Sequence, residues 1–292
     1  MSNKVGIVID SAAAIPQALV KEYNIQIVPL LSIIEGKSYR DIADIKTPDE
    51  LFQMVKKSSG FPTTSASPPT AYLEAYRQLS QRVNDILVIT ISSNLSMSFN
   101  SATQAKEMAK NELPALNIQV FDSRTTVGAY GFIALAAARA AASGQDITQI
   151  IEVASKIREK VNCIFMFDTL SYLARSGRRG RAAALAGNML SMKPILDVPT
   201  STGSVEPVTR VRTKARAIRR LLEIMGQRVG VTNSSLHVMV QHTCSLDEAE
   251  RLKEIVLNQF NCAEILLCEF NPVASLITGP KMLGLSFYSD ST

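Results

Sequence analysis

The chain is poor in the groups on which much enzyme chemistry depends. Its 292 residues include two histidines, His237 and His242, both in the second half. No GxSxG segment accompanies them, so nucleophilic hydrolysis lacks a base beside its serine. No GxGxxG follows the first expected strand, where the chain reads DSAAAIP; a dinucleotide cofactor is therefore not expected. The absence of GxxxxGK[ST] argues likewise against a P-loop kinase. The four cysteines, Cys163, Cys244, Cys262 and Cys268, form no CxxC pair and no ligand-like spacing with the histidines. They read as reduced, mostly core thiols in a cytoplasmic protein, with no metal expected.

Other absences narrow the class further. The opening MSNKVGIVID goes straight into a strand, without the apolar run of a secretory leader. The longest low-charge stretch, Val127 to Ala142, is interrupted by Arg139 and is too short and alanine-rich to span a bilayer. Aromatic residues make up 6% of the chain; none interleaves with the arginines and no DNA-binding motif is present, which disfavours nucleic acid as a partner. Apolar content of 46% and charged content of 20% suit a folded globular protein with a sizeable core. The net charge is +5, concentrated between Arg175 and Arg220, where eleven lysines and arginines face two acids. Such a concentration predicts a basic patch for an anionic partner, with a solvated charged face as the plainer reading.

Strands and helices alternate through the first half. Val5 to Ile9 and Ile25 to Leu31 read as strands, and Thr47-Pro48-Asp49-Glu50 opens a helix. Tyr39 to Ile45 looks irregular, and SSGFPTTSASPPT (Ser58 to Thr70) reads as a loop. A helix over 71–82 leads to the strand Ile86 to Ile91, whose branched apolar run ends abruptly in the serine-rich SSNLSMSFNSA. A helix near 102–111, a strand at Ile118 to Phe121 and a long helix over 127–142 follow. Three strands close on small polar pairs: Asp10-Ser11, Ser92-Ser93 and Asp122-Ser123. In a parallel α/β sheet such ends share the rim where ligands bind, and a strand turning into a helix N-terminus offers free N–H groups to an anion. Each serine also serves simply as a helix cap on the plainer reading.

The second half starts from a helix over 147–160 and a strand at Cys163 to Phe167. Short helices ending at Gly177 and over 182–192 precede a hairpin of 194–198 and 205–211. A helix over 214–229 is expected to bury Ala215, Ile218, Leu222, Met225 and Val229. Strands near 236–241, 264–268 and 283–288, with a helix over 246–260, complete the chain. The expectation is an α/β protein of two domains, residues 1–160 with a mainly parallel sheet and 161–292 with a mixed one.

Eight segments in order resemble the DegV family of bacterial fatty-acid-binding proteins across essentially the whole length. They are VGIVIDSAAAIP, PTTSASPP, ISSNLSMSFNSA, VFDSRTTVGAYG, TLSYLARSGRRGR, MLSMKPIL, VTRVRTKARAI and ITGPKMLGLSFY. The resemblance implies one long-chain fatty acid held between the domains, with no ATP site and no other cofactor. It implies a carboxylate on Thr64 and Ser93, with Ser65 and Ser96 close by, and presentation of the acid to a separate kinase for phospholipid synthesis. Arg178, Arg210 and Arg212 match basic positions that would meet a head group or that kinase. The segments around Leu185 to Met192 and Ile164 to Phe167 are candidate walls of the acyl tunnel.

The chain departs from the family pattern at Met97 and Ser176, where glycine is usual. It departs again at Ile277, where histidine is usual near the acid head, and at Lys281 and Met282. The loss of that histidine bears on partnership with a kinase more than on lipid binding. The competing expectation is an enzyme acting on a small phosphorylated substrate at the same rim, with Asp10, Asp122 and the arginines as its groups.

Overall fold

The computed structural model describes residues 5–178, 180, 192–230 and 235–290. The chain runs β1 (Val5–Asp10), α1 (Gln17–Glu22), β2 (Gln26–Val28), β3 (Leu31–Ile34), β4 (Lys37–Arg40), α2 (Pro48–Lys57), β5 (Thr63–Ser65) and α3 (Pro69–Ser80). It continues through β6 (Asp85–Thr90), α4 (Ser98–Glu112), β7 (Asn117–Asp122), α5 (Val127–Ala142), α6 (Ile147–Lys160), β8 (Asn162–Met166) and α7 (Ser171–Ser176). The last elements are β9 (Lys193–Asp197), β10 (Glu206–Val211), α8 (Lys214–Val229), β11 (Leu236–His242), α9 (Leu246–Gln259), β12 (Cys262–Glu269), α10 (Pro272–Thr278) and β13 (Leu283–Ser289).

The α/β expectation holds, with one parallel and one mixed sheet. Strands β2-β1-β6-β7 form the four-stranded sheet, every pair parallel. Strands β10-β9-β8-β13-β11-β12 form the six-stranded one, in which β11 and β12 run parallel and the other neighbours antiparallel. Every residue of β1 and β6 is buried, as continuous apolar strands covered on both faces require. On the outer side Val8, Ile86 and Val88 meet Tyr72, Tyr76 and Leu79 of α3 and Ala102, Ala105 and Ala109 of α4. The alanines repeat at helical spacing, so α4 packs close to the sheet. On the inner side Ile7, Ile9, Leu87 and Ile89 face α5.

Helix α5 explains its own sequence. A helix apolar on all sides must be buried on all sides, and α5 lies between the two sheets, touching β1 on one side and β8 and β13 on the other. Two glycines make room. A Cβ on Gly131 would lie 2.5 Å from the Ala14 carbonyl oxygen, and one on Gly128 would lie 2.6 Å from Oε1 of Gln241. The one charge, Arg139, reaches Glu264 at 2.5 Å. Beyond the mixed sheet, Ile164, Met166, Val238, Val240 and Leu285 pack with α8 and α9. The layers are therefore helices, parallel sheet, α5 with α6, mixed sheet, helices. The expected division near residue 160 falls between α6 and β8, within a molecule whose central core draws on both sides of it.

Three local expectations need correction. The second strand is broken at Pro29 into β2 and β3, and of the segment 39–45 expected to be irregular, Tyr39 and Arg40 belong to a strand while 41–45 form turns: β3 turns back into β4 through Glu35 and Gly36, both at positive φ. The Ser/Thr/Pro loop contains β5, which pairs with β3 and completes a small β4-β3-β5 sheet. Helix α8 buries Ala217, Leu221, Leu222, Ile224 and Met225, leaving Ala215 exposed. Leu222 and Met225 are buried as expected and Ile218 and Val229 pack against the same core, so only Ala215 leaves the expected face, with Ala217, Leu221 and Ile224 buried beside it. The helix expected over 182–192 lies, apart from Met192, outside the described residues.

Candidate functional site

Strand β1 leads to β2 on one side of the parallel sheet, whereas β6, which follows later, lies on its other side. The carboxyl ends of β1 and β6 thus form a switch point, where α/β folds leave a crevice. The three polar strand ends do meet on one rim, since β1, β6 and β7 are adjacent. Ala12, just beyond β1, and Ile91, just beyond β6, line a narrow cavity.

Both sheets build its walls. Phe165, Phe167, Leu196 and Val198 come from the mixed-sheet side, and Leu30, Ile91, Leu95 and Val127 from the other. Phe165 and Phe167 point inward, while Ile164 and Met166 pack on the opposite face of the sheet, as the period of a strand dictates. Thus two of the four residues 164–167 line the cavity; Leu185 to Ser191 lie outside the described residues. Helix α10 supplies Val273, Ala274, Ile277 and Thr278. Sequence reasoning missed α10, Phe270 and Thr126. The i, i+1, i+4 spacing of Val273, Ala274 and Ile277 was the available signal for α10. For Thr126 it was the place just before a long apolar helix.

The polar groups of the cavity are few: Thr64, Ser65, Ser96, Thr126, Thr278 and Arg178. Strand β5 holds Thr64 opposite Ser32, and the Thr64 hydroxyl makes no hydrogen bond among the described residues. Ser65 Oγ donates to the Ala66 carbonyl at 3.0 Å and Thr278 Oγ1 to the Ala274 carbonyl at 3.1 Å. Ser96 lies just before α4, and Thr126 stands at the N-terminal boundary of α5 without a side-chain capping bond, so two helix N-termini converge on the cavity. Arg178 Nη1 donates to the Ser176 carbonyl at 2.6 Å. Gly177, in the left-handed region at φ 76°, ends α7 and lets the chain turn so that Arg178 reaches the cavity.

Other expected residues lie elsewhere. Ser93 is exposed and does not line the cavity; its Oγ donates to Asp122 at 2.6 Å and its N–H to the same carboxylate. Asp122 also accepts from the Arg124 N–H at 2.8 Å and is absent from the lining. Arg210, on the edge strand β10, and Arg212 beyond it are exposed and away from the cavity. Met97 is 61% exposed with an ordinary φ of −78°, so the position where glycine is usual needs no special backbone here. Ile277, by contrast, is part of the wall.

Asp10 is fully buried behind the wall. One carboxyl oxygen accepts from the Ala12 N–H at 3.0 Å and the other from the Ile91 N–H at 2.9 Å, so it holds two lining residues in place. Asp41 accepts from Ser11 Oγ at 2.6 Å and from the Val273 N–H at 3.0 Å, which fixes the start of α10. Loss of water around each carboxyl outweighs these hydrogen bonds and pushes both up to about 7. Among the described residues no group of three or more metal-ligating side chains occurs, and no helix is long and apolar enough to cross a membrane. The four cysteines are unbridged.

Residues 4–290 match the sequence profile of the DegV family, whose description is "Uncharacterised protein, DegV family". A DegV domain-containing protein of Clostridium perfringens is 31% identical over 98% of this chain and 99% of its own. One from Streptomyces coelicolor is 32% identical over 98% of each. Among solved structures, that described as "Fatty Acid Binding of a DegV family Protein from Thermus thermophilus" superposes with a TM-score of 0.90. It is 28% identical and covers 98% of this chain and 99% of that one. The structure described as "DegV, a fatty acid binding protein from Bacillus subtilis" superposes at 0.88, with 27% identity over 99% of this chain and all of that one. With profile, relatives and fold in agreement over nearly its whole length, the chain belongs to the DegV family.

Proposed function

We propose that this protein binds a long-chain fatty acid, its tail in the cavity and its carboxylate on the hydroxyls of Thr64, Ser65 and Ser96, with Arg178 at the mouth. The observation that carries this reading is the cavity itself, narrow and mostly apolar, with a few hydroxyls beside two helix N-termini. A carboxylate at a helix N-terminus gains about 1 kcal/mol, or about 2 when partly buried. The tail supplies the larger share. At roughly 0.8 kcal/mol per buried methylene, about fourteen of them are worth on the order of 11 kcal/mol before the costs of association. The relatives described as fatty-acid-binding support the same ligand class.

Ser93 then acts by fixing the loop that carries Ser96, through Asp122, rather than by touching the ligand. The resemblance in sequence further supports presentation of the acid to a separate kinase, with the exposed Arg210 and Arg212 as contacts for an acidic partner surface. The competing enzyme reading is weakened, because Asp10 lies behind the wall and Asp122 is engaged by the backbone of its own loop.

Native and denaturing mass spectrometry of the purified protein tests the binding reading. The expected result is a mass excess of one fatty acid, released on unfolding and strongly reduced in the Thr64→Val, Ser96→Ala double variant. Protein that carries no lipid and takes up neither palmitate nor oleate would refute it.

A further inference from the structure

Strand β8 sets Phe165 on the inner face of the mixed sheet between two unlike neighbours. Opposite it on β9 stands Leu196, and both line the cavity. Opposite it on β13 stands Gly284, while Leu283 and Leu285 on either side of that glycine pack on the other face of the sheet. The Phe165 ring takes the space that the glycine leaves. A Cβ on Gly284 would lie 2.3 Å from Phe165 Cδ1, 2.9 Å from its Cε1 and 3.1 Å from the Ile164 carbonyl oxygen. Any other residue at 284 therefore displaces the ring. Two further rings meet Phe165 edge-on: Phe167 with centroids 6.4 Å apart and Phe270 at 5.9 Å, with interplanar angles of 80° and 75°. All three rings are buried and all three line the cavity.

We infer that Phe165, laid back against Gly284, is a specificity-determining residue: it selects straight acyl tails over tails bent by a cis double bond. The inference rests on the fatty-acid reading of the cavity and deepens it by naming the shape of the tail. An aliphatic wall residue yields to a ligand by changing rotamers, whereas a phenyl ring moves as one rigid plate. This plate is already seated as far back as the backbone of β8 and β13 permits, and Leu196, Phe167 and Phe270 close in around it. Its free direction is into the cavity, so the passage beside it can narrow but not widen. A wall packed to interior density responds to a single added methylene. A straight chain is the slimmest form of an acyl tail, and a cis bond offsets its two halves and demands more width. Gly284 is then a positioning residue, holding the ring back far enough for the straight tail to pass.

Calorimetric titration of lipid-stripped protein with palmitate and palmitoleate tests this, because the two acids share length and head group and differ by one cis double bond. The wild type is expected to bind palmitate about tenfold more tightly, the scale on which an apolar pocket discriminates one methylene. Phe165→Val is expected to bring the two affinities within roughly twofold, a change of ratio that a general loosening of the fold does not produce. Gly284→Ala is expected to weaken palmitate about tenfold by driving the ring into the passage. Adding Phe165→Val to Gly284→Ala is expected to restore affinity to about that of Phe165→Val alone, since the new methyl then meets no ring. If Gly284→Ala fails to fold, the ratio in Phe165→Val decides alone. A wild type without preference for palmitate, an unchanged ratio in Phe165→Val, or no rescue in the double variant overturns the inference and leaves the ligand assignment standing. Binding of neither acid by the wild type would overturn the fatty-acid reading and the inference with it.

Discussion

Ser93 and Ser96 are three residues apart, and in the sequence either one could stand at the head of α4. The structure separates them by what each hydroxyl already does: Ser93 is spent on Asp122, whereas Ser96 opens on the cavity. Thr64→Val and Ser96→Ala should therefore each lower fatty acid affinity about tenfold or more, the scale of a hydrogen bond to a charged group. Ser93→Ala removes one of the two Ser93 bonds to Asp122 and keeps the backbone one that holds the loop, so it should leave affinity within roughly twofold. Titration calorimetry of the three variants separates them, and equal losses would contradict the assignment. Thr64 was legible in the sequence, because the family's loop motif sits on it. Thr126 and Thr278 were not, since single threonines carry no periodic signal and their place is set by which elements meet in space.

At the level of elements, the joint between α5 and the mixed sheet rests on one glutamine. Gln241 accepts the Gly128 N–H at 2.8 Å and donates to Ser286 Oγ at 2.8 Å, all three residues buried. Gln241→Leu fills similar volume but orphans both partners, at about 1–3 kcal/mol for each. Chemical denaturation should show a fall of several kcal/mol with an unchanged m-value. The long helix and the strands with continuous apolar runs were readable because burial on both faces leaves an unbroken pattern. Strand β5 was hidden, since Thr63-Thr64-Ser65 carries little apolar signal and exists as a strand through its pairing with β3. One residue of the α8 stripe was misplaced for a related reason. Both Ala215 and Ala217 fit a helical period, and only the packing against β8, β9 and β13 chooses between them.

At the level of the whole molecule, Asp10 and Asp41 make stability fall as pH rises. Each binds its proton more tightly folded than unfolded, so between about pH 4 and pH 7 the folded state holds more protons and loses stability with increasing pH. Their favourable contribution is full below the ordinary carboxylate range and lost above about 7. Urea unfolding at pH 5.5 and pH 8 should show greater stability at the lower pH, and Asp41→Asn should reduce the difference. Below about pH 4 the trend should reverse as Glu264, held down to about 2 by His237 and Arg139, becomes protonated.

The placement of α5 has a further consequence. Ser92 Oγ donates to the Gly203 carbonyl, Asn94 Nδ2 to that of Thr202, Arg124 Nη2 to that of Ser201 and Thr125 Oγ1 to that of Val198, all at 2.7–3.1 Å. With α5 wedged between the sheets and these four ties across the rim, the halves cannot swing apart like a clam shell without exposing the central core. A fatty acid, if bound as proposed, would instead enter and leave lengthwise. Its exchange rate is then set by local yielding of the wall, and a cross-link between the sheets would leave that rate intact.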